Sequence, residues 1–330
     1  MGRIIFFEIL LMNTLQVGVA YFWFKMVIRL LRPLSPVIVA KSLEYIVVFP
    51  VVVIIIKTLL VVSGSDFAVQ MPYQMIRLKL WNSAIWETSY WWLVLMAILA
   101  GSTFIFVFQE FIILGRRGGG QHLDTSAAKR DDKLELILKA VLQGLEKSNY
   151  KIPRYKKVEI FKVEDREQFA LLKGIFHHKI YLSSALIDTL DEEEVMATVA
   201  HEVAHVIYGD NLRTLLIWSM RALQPFNPFT LAIFRDIIEV RESACDYLAS
   251  EATKNPMALA SALIKMQGEV ERVAGEVLVG AEELARREQI YTTKNRVNEL
   301  LHLKNNRFNK DPFIPVMVVI FLLIIMWGIT

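Results

Sequence analysis

The chain is 330 residues long, 54% of them hydrophobic and 22% charged, with 37 Lys and Arg against 34 Asp and Glu. A balance this apolar exceeds that of an ordinary soluble domain and points to a membrane protein with one or two folded units. A net charge of +3, with no basic run interleaved with aromatics, gives no footing for nucleic-acid binding, and the single Cys245 excludes an internal disulfide and fits a reducing compartment.

Four segments are long and apolar enough to span a bilayer, which takes about 20 residues each: residues 4–28, 43–62, 89–114 and 312–330. Tyr90, Trp91 and Trp92 open the third as an aromatic belt. No small-residue cleavage site follows the first, so it is expected as a retained anchor. Arg29, Arg32 and Lys41 follow the first segment, and Arg116, Arg117, Lys129 and Arg130 follow the third. Arg307 and Lys310 precede the fourth, whereas 63–88 offers only Arg77 and Lys79. The positive-inside rule therefore predicts a multi-pass plasma-membrane protein with its N-terminus and the 63–88 loop outside and residues 116–311 in the cytoplasm. Glu8, Asn13, Gln16, Lys57 and Glu110 lie within the spans, where polar groups are expected to face a bundle interior or the interface.

Gly115-Arg-Arg-Gly-Gly-Gly120 opens a flexible linker over 115–130, and 131–311 reads as a folded domain. Within it the pattern predicts an amphipathic helix over 131–147 (Leu134, Ile137, Ala140, Val141, Leu145) and a strand over 158–163. Residues 169–182 read as strand, a turn at Gly174, and strand. The second of these strands, 178–182, is expected to be the edge that pairs with an extended substrate, with His177 and His178 structural. A greasy helix is expected over 212–223, too short to span, then a helix after Pro228, one begun by Asn255 and Pro256, and an amphipathic one over 293–303. There is no internal repeat.

The chemistry concentrates in Asp191-Glu-Glu-Glu-Val-Met-Ala-Thr-Val-Ala-His201-Glu202-Val-Ala-His205. Asp191 is a natural N-cap, and Glu194 completes a capping box. His201 and His205, four apart on one helix, present both imidazoles to one metal ion, and Glu202 stands beside them as general base. This is the HExxH pattern of zinc metallopeptidases. Zinc needs a third protein ligand and an open position. Glu242-Ser-Ala-Cys-Asp246 supplies two carboxylates four apart. Glu242 can be the third ligand, and Asp246 can accept a hydrogen bond from the far nitrogen of a ligand His. A solvent-facing acidic pair is the other reading. Against it, Ile237, Ile238, Val240, Ala244 and Leu248 look buried, where unpaired carboxylates are costly. Cys245 reads as a buried filler rather than a nucleophile.

His201-Glu-Val-Ala-His205, Gly209-Asp210-Asn211-Leu212, Phe226-Asn227-Pro228 and Arg241-Glu242-Ser-Ala-Cys-Asp246 resemble the BlaR/MecR-type membrane metallopeptidases, and the order of segments is similar to theirs. The resemblance implies an α+β zincin-like (gluzincin) domain in a four-helix transmembrane protein that is mostly α. It implies one Zn²⁺ per chain held by His201, His205 and Glu242, with Glu202 as base and Asp246 behind the ligands. Asn295-Arg296-Val297 is similar to a late element of this group and of the related HtpX/CAAX-protease group, which suggests support of the site by Arg296. For the oxyanion, Tyr208, Arg296 and His302 stand unranked. The sensor domain that follows the fourth span in the β-lactam sensors is not in this sequence, so antibiotic sensing is not implied.

The expectation is thus a zinc metalloendopeptidase acting on cytoplasmic or membrane-proximal proteins, in regulated proteolysis or, as in HtpX-like enzymes, in quality control. Its expected partners are a peptide substrate, the bilayer and either a membrane partner or a second copy. A scaffold with a latent zinc site is the alternative from another class, disfavoured because a closed structural site normally uses a fourth protein ligand. A transporter is disfavoured by the absence of repeated spans.

Overall fold

A computed structural model describes residues 2–30, 34–62, 94, 97, 101, 104, 128–148, 150, 157–224, 227–273, 281–302 and 313–329. In chain order its elements are α1 (Gly2–Leu30), α2 (Pro36–Val62), α3 (Asp132–Lys147), β1 (Lys157–Val163), β2 (Ala170–Lys173), β3 (His177–Ser183) and α4 (Ser184–Thr189). There follow α5 (Glu192–Tyr208), α6 (Asp210–Ala222), α7 (Pro228–Thr253), α8 (Pro256–Val273), α9 (Ala281–His302) and α10 (Phe313–Ile329). They divide into two compact units. One holds Met1–His122, Leu215–Val240 and Phe308–Thr330; the other holds Leu123–Thr214 and Arg241–Arg307.

In the second unit the local signals act as expected. Asp131 caps α3, accepting from the Lys133 and Leu134 N–H groups at 2.9 and 3.2 Å. The capping box of α5 forms in both directions: Asp191 Oδ1 accepts from Glu194 N, and Glu194 Oε2 from Asp191 N, each at 2.9 Å. Asn255 Oδ1 caps α8, accepting from Ala258 N at 3.2 Å. The apolar stripe Leu134, Ile137, Leu138, Val141 and Leu145 of α3 packs on α5 and β1 and belongs to one buried cluster with Val195, Val199 and Val203 of α5, Ile160 of β1, and Ile180 and Leu182 of β3. Helix α5 is buried along most of its length, so its His-Glu-x-x-His turn is held from several sides at once.

The sheet has the order β1-β3-β2, with β1 parallel and β2 antiparallel to β3. The expectation that β3 is the free edge is therefore wrong: β3 is central, and the edge strand next to it on the other side is β2. Strand order depends on pairings between distant residues, which the alternation of 178–182 does not encode.

In the first unit α1, α2 and α10 pack around Val17, Phe24, Leu43, Ile46, Val318 and Leu322, joined by Ile217, Ile233 and Ile237. Among the described residues no helix is long and apolar enough to cross a membrane, so the four expected spans are not supported. Helix α10 has 17 residues, about 25 Å at 1.5 Å per residue, against a hydrocarbon core of about 30 Å. The described parts of α1 and α2 carry Lys25, Arg29, Lys41 and Glu44. Most of the third segment, 89–114, lies outside the described residues, as do the 115–127 part of the linker and the side chains of Glu8 and Lys57. Phe22, Leu59, Phe313 and Ile324 point outward from this unit, all well exposed.

Asn13, one of the polar residues expected to face a bundle interior or the interface, is 1% exposed. Its amide donates to Gln224 Oε1 at 2.9 Å, and its Oδ1 accepts from Asn227 at 2.8 Å. Gln224 in turn donates to the Val47 carbonyl at 2.9 Å. This closed amide network explains how polar groups persist in an apolar cluster.

Candidate active site

His201 and His205 sit one turn apart on the buried face of α5, and their Nε2 atoms are 3.1 Å from each other. Glu242, from the middle of α7, brings Oε2 to 3.5 Å from His201 Nε2 and Oε1 to 3.7 Å from His205 Nε2. Two donors about 2.1 Å from a tetrahedral ion stand about 3.4 Å apart, so these three edges match the face of a zinc tetrahedron.

The far nitrogens are matched to carboxylates. His201 Nδ1 lies 2.9 Å from Asp246 Oδ1. His205 Nδ1 lies 2.6 Å from Asp210 Oδ2, a contact the sequence reading had not assigned. With the protons drawn to Nδ1, both Nε2 lone pairs face the point where the three side chains converge. Asp210 was within reach of inference: Gly209, in the left-handed conformation (φ 67°, ψ 37°), ends α5 and turns the next residue back on the last turn, where His205 lies. Cys245 packs beside this pair, its Sγ 3.4 Å from His205 Nδ1 and 3.5 Å from Asp210 Oδ2. Burial and three neighbouring carboxylates push its thiol well up, so it is a filler and no nucleophile.

Arg296 comes from α9, 50 residues beyond Asp246. Its Nε and Nη2 donate to the two oxygens of Asp246 at 2.7 Å each, and Nη1 lies 3.1 Å from Glu242 Oε2. The fork thus ties the residue behind His201 to the third candidate ligand. Burial would lower the His201 pKa, but the Asp246 and Glu242 carboxylates reverse this and push it up to about 10. Burial would raise Glu242, yet His201, Arg296 and His205 hold it well below the usual carboxylate range. Two imidazoles and a carboxylate are the donor set that Zn²⁺ takes, and a metal ion would replace the proton that these carboxylates hold on His201. On donor type and spacing, the residues fit Zn²⁺.

A cavity of about 230 Å³ opens here, lined by His201, Glu202, His205, Glu242 and Arg296 on one side and by Leu259, Ala262, Leu263 and Met266 of α8 on another. Glu202 is buried and reaches this cavity. Ala170, the first residue of edge strand β2, also lines it. Of the three oxyanion candidates only Arg296 is at the cavity. The Tyr208 hydroxyl is buried, with its ring packed on the core, and His302 is exposed at the end of α9. Both expectations for those two residues are corrected: one points into the core and the other lies on the surface. His177 is exposed and His178 buried in the sheet, and neither lines the cavity.

Among solved structures the chain is similar to the crystal structure of S. mikatae Ste24p, at 17% identity and a TM-score of 0.32, covering 76% of this chain. It spans 65% of that protein's chain. No curated protein matches it. The family model for peptidase family M48 matches residues 128–302, more than half of the sequence and the whole of the cluster from His201 to Arg296, and the chain belongs to that family.

Proposed function

We propose that the chain is a membrane-associated zinc metalloendopeptidase, with His201, His205 and Glu242 as metal ligands and Glu202 as general base. The convergence of two carboxylate-backed imidazoles and Glu242 on one point of a cavity wall, beside Glu202, carries this reading. Zn²⁺ held by His201, His205 and Glu242 would polarise the scissile carbonyl and lower the pKa of an attacking water. Glu202 takes the proton from that water at its carboxylate and returns it to the leaving amine. Asp246 and Asp210 keep the two imidazoles in the tautomer that frees Nε2, and Arg296 holds Asp246 and Glu242 in register.

An extended substrate pairs with β2, which among the described residues bonds only to β3 and starts at the cavity, so strand addition moves from the expected β3 to β2. The α8 wall favours an apolar side chain next to the scissile bond. The exposed apolar residues of α1, α2 and α10 support contact with hydrocarbon. Regulated cleavage of membrane-proximal proteins is the finer reading, supported by the likeness of the His201–Asp246 run to BlaR/MecR-type peptidases.

The test is zinc content and proteolysis of an unfolded protein substrate, measured together on detergent-purified chain. Glu202→Gln is expected to keep about one zinc and lose cleavage, and Glu242→Ala to lose most of the zinc. Unchanged cleavage in Glu202→Gln with zinc retained sinks the mechanism. Full zinc in Glu242→Ala sinks the ligand set.

A further inference from the structure

The turn between β2 and β3 shows its apolar residues to the outside. Ile175 is 38% and Phe176 68% exposed, and Leu212 at the start of α6 is 52% exposed. Such side chains at the tip of a tight turn contribute nothing to the core, and their exposure costs solvation that a folded domain normally avoids. The tip is nevertheless built as a fixed feature. Gly174 adopts φ +100°, where a Cβ would collide with the His177 carbonyl. Asn211 Nδ2 donates to the Gly174 carbonyl at 2.7 Å, tying the turn to the first turn of α6, which also carries the exposed Leu212.

The charge around the tip has one sign. Lys173 and Lys179 are exposed and stand opposite each other as the last cross-strand pair before the turn. Residues 170–182 contain no Asp or Glu. The nearest acid in register is Glu159, opposite Lys179 on β1, and it already accepts from Arg130 at 3.0 Å. In this structure the Lys173 and Lys179 ammonium groups rest over the Tyr181 and Phe161 rings, at 5.8 and 5.6 Å from the ring centres, and both side chains are exposed, so a turn of each flexible stem brings them to the level of the tip. An apolar tip with such a lysine on each flank is the arrangement in which side chains enter the interfacial layer while lysines meet headgroup phosphates.

We propose that this tip is a bilayer-contact site: Ile175, Phe176 and Leu212 enter the interface of an anionic leaflet, and Lys173 and Lys179 bind its phosphates. The contact has a consequence for catalysis. Strand β2 runs from Ala170 at the cavity to Lys173 at the tip, about 10 Å at 3.3 Å per residue. Anchoring the tip therefore holds the cleft and its substrate-pairing edge just above the membrane surface, where segments leaving the bilayer are within reach. The proposal does not rest on the zinc chemistry and stands or falls separately.

The test uses the full chain in phosphatidylcholine vesicles with and without phosphatidylglycerol. Phe176→Cys carries an environment-sensitive nitrobenzoxadiazole label; the native Cys245 is fully buried, and the wild-type chain reports any label it takes. A second reporter, Leu212→Cys, guards against a local effect at one position. The expected result is blue-shifted emission, quenching by doxyl lipids and protection from iodide in anionic vesicles, weakened several-fold by Lys173→Glu with Lys179→Glu. Labels as open to iodide in vesicles as in detergent overturn the site. Protection from iodide without doxyl quenching also overturns it, because the tip is then covered by protein rather than lipid. Insertion that ignores both phosphatidylglycerol and the charge reversal overturns the role of the lysines.

Discussion

Arg296 is bonded to both oxygens of Asp246 and reaches Glu242 as well, so one guanidinium offsets the buried Asp246 carboxylate and the half-buried Glu242 carboxylate, which would otherwise repel each other across the site. Lysine carries the same charge but cannot span that geometry, because it lacks the planar fork. Arg296→Lys is expected to lower zinc affinity or kcat/KM by about 10–100-fold, the usual cost of losing a partner behind a metal ligand. Chelator competition and steady-state kinetics measure it, with far-UV circular dichroism to show that the fold is kept. Wild-type values for both would remove Arg296 from the site. Asp210→Ala is expected to weaken zinc binding on the same scale, by releasing the His205 ring at Nδ1. An unchanged affinity would mean that Cys245 and packing alone hold that ring.

These two residues also mark where the sequence stops being readable. The pair His201 and His205, Glu202 beside them, and Glu242 with Asp246 follow from helical spacing, because residues four apart share a face. Arg296 lies 50 residues from Asp246, and no local period links them; only its resemblance to a late family element drew notice. Asp210 required the left-handed turn at Gly209. Tyr208, one residue before that turn, looked equally well placed on a linear reading, yet its hydroxyl points into the core.

At the scale of elements, caps were legible and pairings were not. The capping box of α5 was plain in Asp191 and Glu194, but the sequence did not show that Glu194 also accepts from Ser261 and Lys265 of α8, at 2.6 Å each. Those contacts bind the start of the helix that carries the two histidines to the helix that forms the apolar cavity wall. Asp191→Ala is expected to cost about 1 kcal/mol in denaturant unfolding. Glu194 adds a pH dependence. Burial pushes its pKa up, but the bonds from Lys265, Ser261 and the Asp191 N–H outweigh this and hold it below the ordinary 4.5. A carboxyl lowered on folding stabilises the fold fully above its unfolded value and loses that contribution as pH falls through the folded one. Glu194→Gln is therefore expected to lower the Tm near neutral pH, with the gap to wild type narrowing once pH drops below about 4.5. A gap that stays constant into acid would assign the effect to packing instead.

At the scale of the whole molecule, all three candidate ligands, both carboxylates behind the imidazoles and Arg296 belong to the unit of Leu123–Thr214 and Arg241–Arg307. The other unit is held by different means. Its apolar cluster and the Asn13–Gln224–Asn227 network contain no residue of the site. A metal that binds the folded state stabilises what its ligands close together, and the stabilisation grows with free metal over Kd. Here the closure spans α5 and the 241–253 part of α7, with α9 joined through Arg296. Chelation is therefore expected to act on one unit. Hydrogen exchange followed by mass spectrometry, with and without EDTA, should show faster exchange in α5, in 241–253 of α7 and in 290–302 of α9. The described parts of α1, α2 and α10 should exchange as before, because their protection depends on the amide network and apolar packing. The same experiment on Asn227→Ala inverts the pattern: the first unit loosens where an amide partner of Asn13 is removed, at a cost of about 1–3 kcal/mol for the buried groups left unpaired, while zinc affinity holds. Uniform loss of protection on chelation would show instead that the chain opens as one cooperative body, and that the metal stabilises all of it.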